Sequence, residues 1–184
     1  MEERCLLEEQ PLNRMLMRLS HEIIEGNGNA DSVYLVGIKR RGVPLAKRIK
    51  ANIERFSDLK VGIGALDITL YRDDLKELSA VPIVHGSDIP FDVNGKAIVL
   101  VDDVIYTGRT ARAAMDALIQ LGRPASIRLC VAVDRGHREL PIAANYVGKN
   151  VPTSREEFIS VRLEEIDGVN EIVLTHPDEP KNRQ

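Results

Sequence analysis

The stretch Val99-Leu100-Val101-Asp102-Asp103-Val104-Ile105-Tyr106-Thr107-Gly108-Arg109-Thr110 decides how this chain is read. Lys96 to Val101 is a continuous apolar strand of the kind buried on both faces. It ends in two adjacent carboxylates, and a short loop leads into a helix predicted from about Thr110 to Leu121. Gly122, with Pro124 two residues on, closes that helix. Ligands of open α/β sheets bind at the carboxyl ends of strands, and a helix N-terminus offers unpaired N–H groups that suit a phosphate. Gly108 lets the backbone approach closely, and Thr107 and Thr110 add hydroxyl donors. Ionised carboxylates only accept hydrogen bonds, so Asp102 and Asp103 suit vicinal sugar hydroxyls or a hydrated Mg²⁺. An Asp-Asp pair alone is as readily a helix cap, a phospho-acceptor or a phosphohydrolase site. Followed at once by Thr-Gly-x-Thr, it describes a site for a phosphorylated sugar.

The pattern on either side is that of a parallel α/β protein. Leu12, Met15, Leu16, Leu19 and Ile23 recur at helical spacing, predicting a helix over about 11–25 that stops at Gly26-Asn27-Gly28-Asn29. Val33 to Ile38 reads as a short buried strand. Lys39-Arg40-Arg41-Gly42 follows, then a helix with Leu45, Ile49, Ile53 and Phe56 on one face. Residues 61–70 read as a strand whose alternation changes phase near Ala65-Leu66. Residues 71–94 are polar, contain Pro82 and Pro90, and have the length of a functional loop. Further strands fit at 127–133, 145–147, 158–163 and 171–174, and residues 175–184 read as a frayed tail. With 184 residues and no repeat or linker, a single domain over 1–184 is expected.

Composition excludes several classes. Apolar residues make up 43% and charged residues 29%, ordinary globular usage. The net charge of −3 provides no global field for nucleic acid. Charge is nonetheless uneven: residues 104–155 hold 8 Lys and Arg against 3 Asp and Glu, and residues 156–184 hold 3 against 8. A local basic face is compatible with that. The longest apolar run, Ala97 to Val101, falls far short of the roughly 20 residues a membrane helix needs. The acidic start, MEERCLLEEQ, lacks the charged start and apolar stretch expected of a secretory signal. Cys5 and Cys130 lack metal-like spacing, and Cys130 lies in the apolar run Leu129 to Val133 as a small buried hydrophobe. A cytoplasmic protein is expected.

Residues 99–111 resemble the 5-phosphoribosyl-1-diphosphate (PRPP) signature of type I phosphoribosyltransferases. Four further blocks narrow the likeness: residues 36–42 (VGIKRRG), 67–75 (DITLYRDDL), 134–141 (DRGHRELP) and 146–154 (YVGKNVPTS). Together they resemble the PyrR family, which combines pyrimidine-operon attenuation with uracil phosphoribosyltransferase activity. The likeness runs from about Leu12 to Leu174. It implies a mainly parallel sheet flanked by helices, with a mobile flap and a small base-recognition hood.

The resemblance also implies roles. N1 of uracil displaces pyrophosphate from C1 of PRPP, with Mg²⁺ held mainly through substrate oxygens and water. Asp102 and Asp103 serve the ribose hydroxyls, and Tyr106, Thr107, Gly108, Arg109 and Thr110 cradle the 5′-phosphate. Arg40 and Arg41 meet the pyrophosphate, and Arg72, in the flap, closes on it. Val133, Asp134 and Arg135 lie where the base is read. For an mRNA hairpin, bound more tightly with UMP or UTP, the implied surface is Arg14, Arg18, His21, His137, Arg138 and Lys149. Arg14, Arg18 and His21 share one helix face by their spacing. The chain departs from the regulating pattern at Met17, Gly26 and Ala143, where Thr or basic residues are expected. The family further implies a homodimer, with tetramers or hexamers as larger assemblies. Two rivals stay open: a purine or orotate phosphoribosyltransferase on the same fold, and a nucleotide sensor that binds RNA without turnover.

Overall fold

A computed structural model describes residues 2–28, 30–69 and 87–176. In chain order the elements are β1 (Glu2–Leu7), α1 (Glu9–Gly26), β2 (Ser32–Ile38), α2 (Gly42–Phe56), β3 (Lys60–Leu66), β4 (Ala97–Ile105), α3 (Arg109–Leu121), β5 (Ser126–Asp134), β6 (Tyr146–Asn150), β7 (Phe158–Arg162), α4 (Glu164–Asp167) and β8 (Glu171–His176). β2 to β6 form a parallel sheet in the order β3-β2-β4-β5-β6. β1, β8 and β7 form a separate antiparallel sheet in that order.

The apolar periodicity explains the layers. Leu12, Leu16, Leu19 and Ile23 of α1 and Leu45, Ile49 and Ile53 of α2 are buried together on one face of the parallel sheet, against Leu35, Val99 and Cys130. Each such side chain stabilises the fold by roughly 1.5–3 kcal/mol. α3 covers the other face with small residues: Ala113, Ala114, Ala117 and Leu118 pack on Val36, Ile98, Leu100 and Val131. Cys130 is 1% exposed, and burial pushes its thiol up to about 12. Cys5 is exposed. A maleimide at neutral pH should therefore label one thiol of the native chain and two in urea. Rapid labelling of both in the native state would contradict this packing.

The structure adjusts the expected elements. α1 begins at Glu9 because Pro11 sits in the first turn, where its missing N–H breaks no helical bond. β3 ends at Leu66, where the alternation changes phase. β4 does not stop at Val101 but runs to Ile105, so the two carboxylates lie on the strand itself. β8 continues to His176, overlapping the start of the expected frayed tail. Residues 177–184 lie outside the described residues, as does most of the expected flap with Arg72.

The strand order locates a crevice. From β2 the chain crosses to β3 on one side, and from β4 it crosses to β5 on the other, so the direction reverses between β2 and β4. In such sheets the carboxyl ends of the two strands at the reversal open the ligand crevice. Here those ends carry residues 39–42 and 102–110.

Candidate active site

The loop after β4 turns through Gly108, whose φ of 92° lies in the left-handed region and favours glycine. Gly108, at the N-cap, has no side chain to cap α3; the Thr107 hydroxyl accepts from the Arg109 N–H at 3.3 Å, and residues 107–111 line the crevice as an anion cradle. The loop is pinned from outside. The Thr107 carbonyl accepts N–H bonds from Glu139 (2.9 Å) and Leu140 (3.2 Å). Arg138 donates to the Tyr106 carbonyl at 2.6 Å, and Arg109 pairs with Glu139 at 2.8 Å.

Two cavities meet at the carboxylates. One, of about 480 Å³, is lined by Asp102, residues 104–111, Leu129 and Val131. The other, of about 450 Å³, is lined by Lys39, Arg40, Arg41, residues 67–69, Asp102, Asp103, Val104 and Thr110. Asp102, Val104 and Thr110 belong to both, so Asp102 stands on the seam between an anion cradle and a cluster of three cations.

Burial, then the charge of Asp103, pushes the Asp102 carboxyl well above the usual carboxylate range. Asp103 is raised too, again chiefly by burial, opposed by a bond from the Val104 N–H and by the Arg41 charge. Each carboxylate also accepts a local backbone bond: Asp102 from the Asp103 N–H at 3.0 Å and Asp103 from the Val104 N–H at 2.8 Å. Two adjacent half-buried acids of like charge stand ready for a ligand that supplies positive charge or hydroxyl donors.

Arg40 is exposed at the second cavity, and the Lys39–Arg40 peptide bond is cis. Arg41 is fork-paired with Asp167 of α4, at 2.7 and 3.3 Å, so an incoming anion competes with that carboxylate for the guanidinium. Three polar residues of this cavity lay in the quoted blocks but were given no site role from sequence: Lys39, 3.7 Å from Asp67, and Asp67 with Thr69, whose hydroxyl donates to it at 2.6 Å. Both groups follow carboxyl ends of parallel strands, the signal that would have found them.

At the end of β5 the expected base readers are largely committed elsewhere. Asp134 accepts from Arg138 (2.5 Å) and from the Gly136 N–H (2.9 Å). Burial works to raise its carboxyl, but those bonds and the Arg138 charge hold it below the usual range. Arg135 is only 5% exposed and donates to the Thr153 hydroxyl (3.2 Å) and the Ser154 carbonyl (3.0 Å). Val133 is fully buried in the core.

The six basic residues expected to make one RNA surface are divided. Arg14, His21 and Lys149 are exposed. Arg18 pairs with Glu22 and donates to the Val147 (3.2 Å) and Gly148 carbonyls, which ties α1 to edge strand β6. His137 donates through Nε2 to the Thr153 carbonyl at 2.5 Å, and Arg138 bridges Asp134 and Tyr106. The last two thus brace the site wall, His137 through a backbone carbonyl and Arg138 through the Asp134 carboxylate and the Tyr106 carbonyl. At Gly26 the carbonyl takes the Arg128 guanidinium, bringing a cation to that position.

A parallel sheet with an acidic pair beside an anion cradle at its reversal point defines a type I phosphoribosyltransferase. The family model described as phosphoribosyl transferase domain matches residues 5–165. Solved structures agree in fold: a hypoxanthine phosphoribosyltransferase of Trypanosoma cruzi superposes with a TM-score of 0.71 at 17% identity, over 95% of this chain and 97% of that one. One from Staphylococcus aureus gives 0.71 at 18%, over 95% and 93%. Sequence relatives are far nearer. The chain is 57% identical over 173 residues to the Bifunctional protein PyrR of Clostridioides difficile, covering 94% of this chain and 98% of the relative. It is 59% identical over 169 residues to that of Clostridium kluyveri, covering 92% and 95%. The chain belongs to the PyrR family.

Proposed function

We propose that this protein transfers the phosphoribosyl group of PRPP to N1 of uracil, giving UMP and pyrophosphate, and binds hairpins in pyrimidine-gene mRNA more tightly with a uridine nucleotide bound. The observation that carries the enzymatic half is Asp102 on the seam between the anion cradle and the cationic cavity. A 5′-phosphate seated at residues 107–110 puts the ribose beside the acidic pair and the pyrophosphate beside Lys39, Arg40 and Arg41. As the C1–O bond breaks, positive charge develops on the ring, and two preplaced carboxylates stabilise it. Arg41 exchanges Asp167 for pyrophosphate oxygens, and Arg72 is assigned to cover the same leaving group.

Among the described residues no cluster of three or more metal-ligating side chains occurs. Mg²⁺ would enter with PRPP, held mainly through substrate oxygens and water, with Asp102 and Asp103 the nearest carboxylates, and would offset pyrophosphate charge. The base is read at residues 133–135 through backbone groups, since the Asp134 carboxylate is committed. No helix among the described residues is long and apolar enough to cross a membrane. We place the protein in the cytoplasm as a homodimer or larger homo-oligomer.

For RNA, Arg14, His21 and Lys149 are the direct contacts, and Arg18 holds β6 so that Lys149 lies beside α1. The test is hairpin affinity with and without UMP across a salt series. Tight, UMP-enhanced binding with a steep salt slope is expected. Lys149→Ala should flatten that slope by about one charge while leaving UMP synthesis intact. Weak wild-type binding, indifferent to UMP, would remove the RNA half, and failure to form UMP would remove the other.

A further inference from the structure

Tyr106 is 36% exposed, lines the cavity of about 480 Å³, and lies within the phosphate loop. Its ring is held from behind. The Arg135 guanidinium sits 4.1 Å from the ring centroid, covering one face. His137 meets the ring edge-on at 6.0 Å, and Arg138 bonds its carbonyl. Arg135 covers one face of the ring, and the residue as a whole stays 36% exposed and lines the cavity.

Arg135 is unusual in its own right. Burying a guanidinium is costly without a carboxylate, and among the described residues none pairs with it. Its bonds go to the Thr153 hydroxyl and the Ser154 carbonyl instead. Thr153 returns a bond from its hydroxyl to the Arg135 carbonyl at 3.2 Å and takes His137 on its own carbonyl. The whole cluster fixes one aromatic plane at the mouth of the site.

We propose that Tyr106 is the stacking platform for the pyrimidine ring, and hence a specificity-determining residue, with Arg135 as the positioning residue that holds the platform. This rests on the uracil reading above. The backing cation polarises the ring and fixes its tilt, so a base entering beside the phosphate cradle finds one preset plane. A rigid aromatic platform loses little freedom on binding, and stacking a single base on it is worth roughly five-fold to a hundred-fold in affinity.

The test separates base from sugar phosphate by calorimetric titration of UMP and of ribose 5-phosphate. Tyr106→Leu, which keeps bulk and removes the aromatic face, should weaken UMP about tenfold or more and change ribose 5-phosphate less than about threefold. Tyr106→Phe should recover most of the lost UMP affinity. Arg135→Gln should show the same UMP-selective loss in milder form, and the double variant should bind UMP no worse than Tyr106→Leu alone. Equal losses for both ligands would assign Tyr106 to the phosphate cradle and overturn the proposal, as would unchanged UMP affinity. Because the readout is binding, a wild-type protein that stacks UMP but makes none would remove the enzymatic reading and leave the platform standing.

Discussion

Asp102→Asn should be more heat-stable than the wild type and nearly inactive. UMP formation should fall about a hundredfold, the usual cost of deleting a preplaced charge at a developing ion, and Asp103→Asn should lose at least about tenfold. The stability gain follows from the burial that raises the Asp102 carboxyl. Between the ordinary carboxylate range and the raised folded value, the native protein holds a proton that the unfolded chain has released. Stability therefore falls as pH rises through that window. Asn carries no such penalty, so its advantage is largest at neutral pH and disappears in acid, where both states are protonated. A thermal melt of the ligand-free variant at pH 8 and pH 4, with a UMP assay at pH 8, checks both halves. A lower melting temperature at pH 8, or wild-type turnover, would show that Asp102 is not the strained acid of the site.

Gly42→Ala should be the most damaging small substitution in the fold. Gly42 opens α2 against the middle of β4, and a Cβ there would enter the van der Waals envelope of the Val101 carbonyl, with the Asp102 Cα at 3.4 Å. Both neighbours are backbone of a central strand and cannot turn aside. Overpacking of this kind costs about 3 kcal/mol, which in a protein of this size lowers the melting temperature by roughly 6–12 °C. The same displacement moves the acidic pair, so PRPP affinity should fall with it. A melt within about 2 °C of wild type would mean that α2 stands further from β4 than the structure has it.

Much of this was legible from residues 99–110 alone. The apolar run, the acid pair and Thr-Gly-x-Thr mark strand, seam and anion cradle through local chemistry, and the helices declare themselves by periodicity. What stayed hidden depends on distant pairing. β1 was missed because it is an edge strand with its first four residues exposed, so no alternation is written into EERCLL. α4 has four residues, too few for a helical period. The commitment of Arg41 to Asp167 spans 126 residues, and no spacing rule reaches it. His137 and Arg138 looked like free cations because backbone carbonyls, which sequence does not distinguish, are among their partners; Arg138 also takes the Asp134 carboxylate four residues back. The length of β4 was misjudged for a related reason: carboxylates usually end strands, and only the neighbouring β5, paired as far as Ile105 with Asp134, holds them in one.

The small sheet adds an order of events. β1 has β8 as its partner, joining Glu2 to His176 across nearly the whole chain, and α4 immediately before β8 supplies Asp167 to Arg41. On a ribosome, β2 to β6 and both acids emerge and can pack while β1 is still an unpaired edge. The loop after β2 receives its resting counter-ion only when α4 arrives. A nascent chain halted before α4 would thus hold the acids and the cradle with Arg41 unrestrained, and would acquire this ion pair only once α4 has emerged.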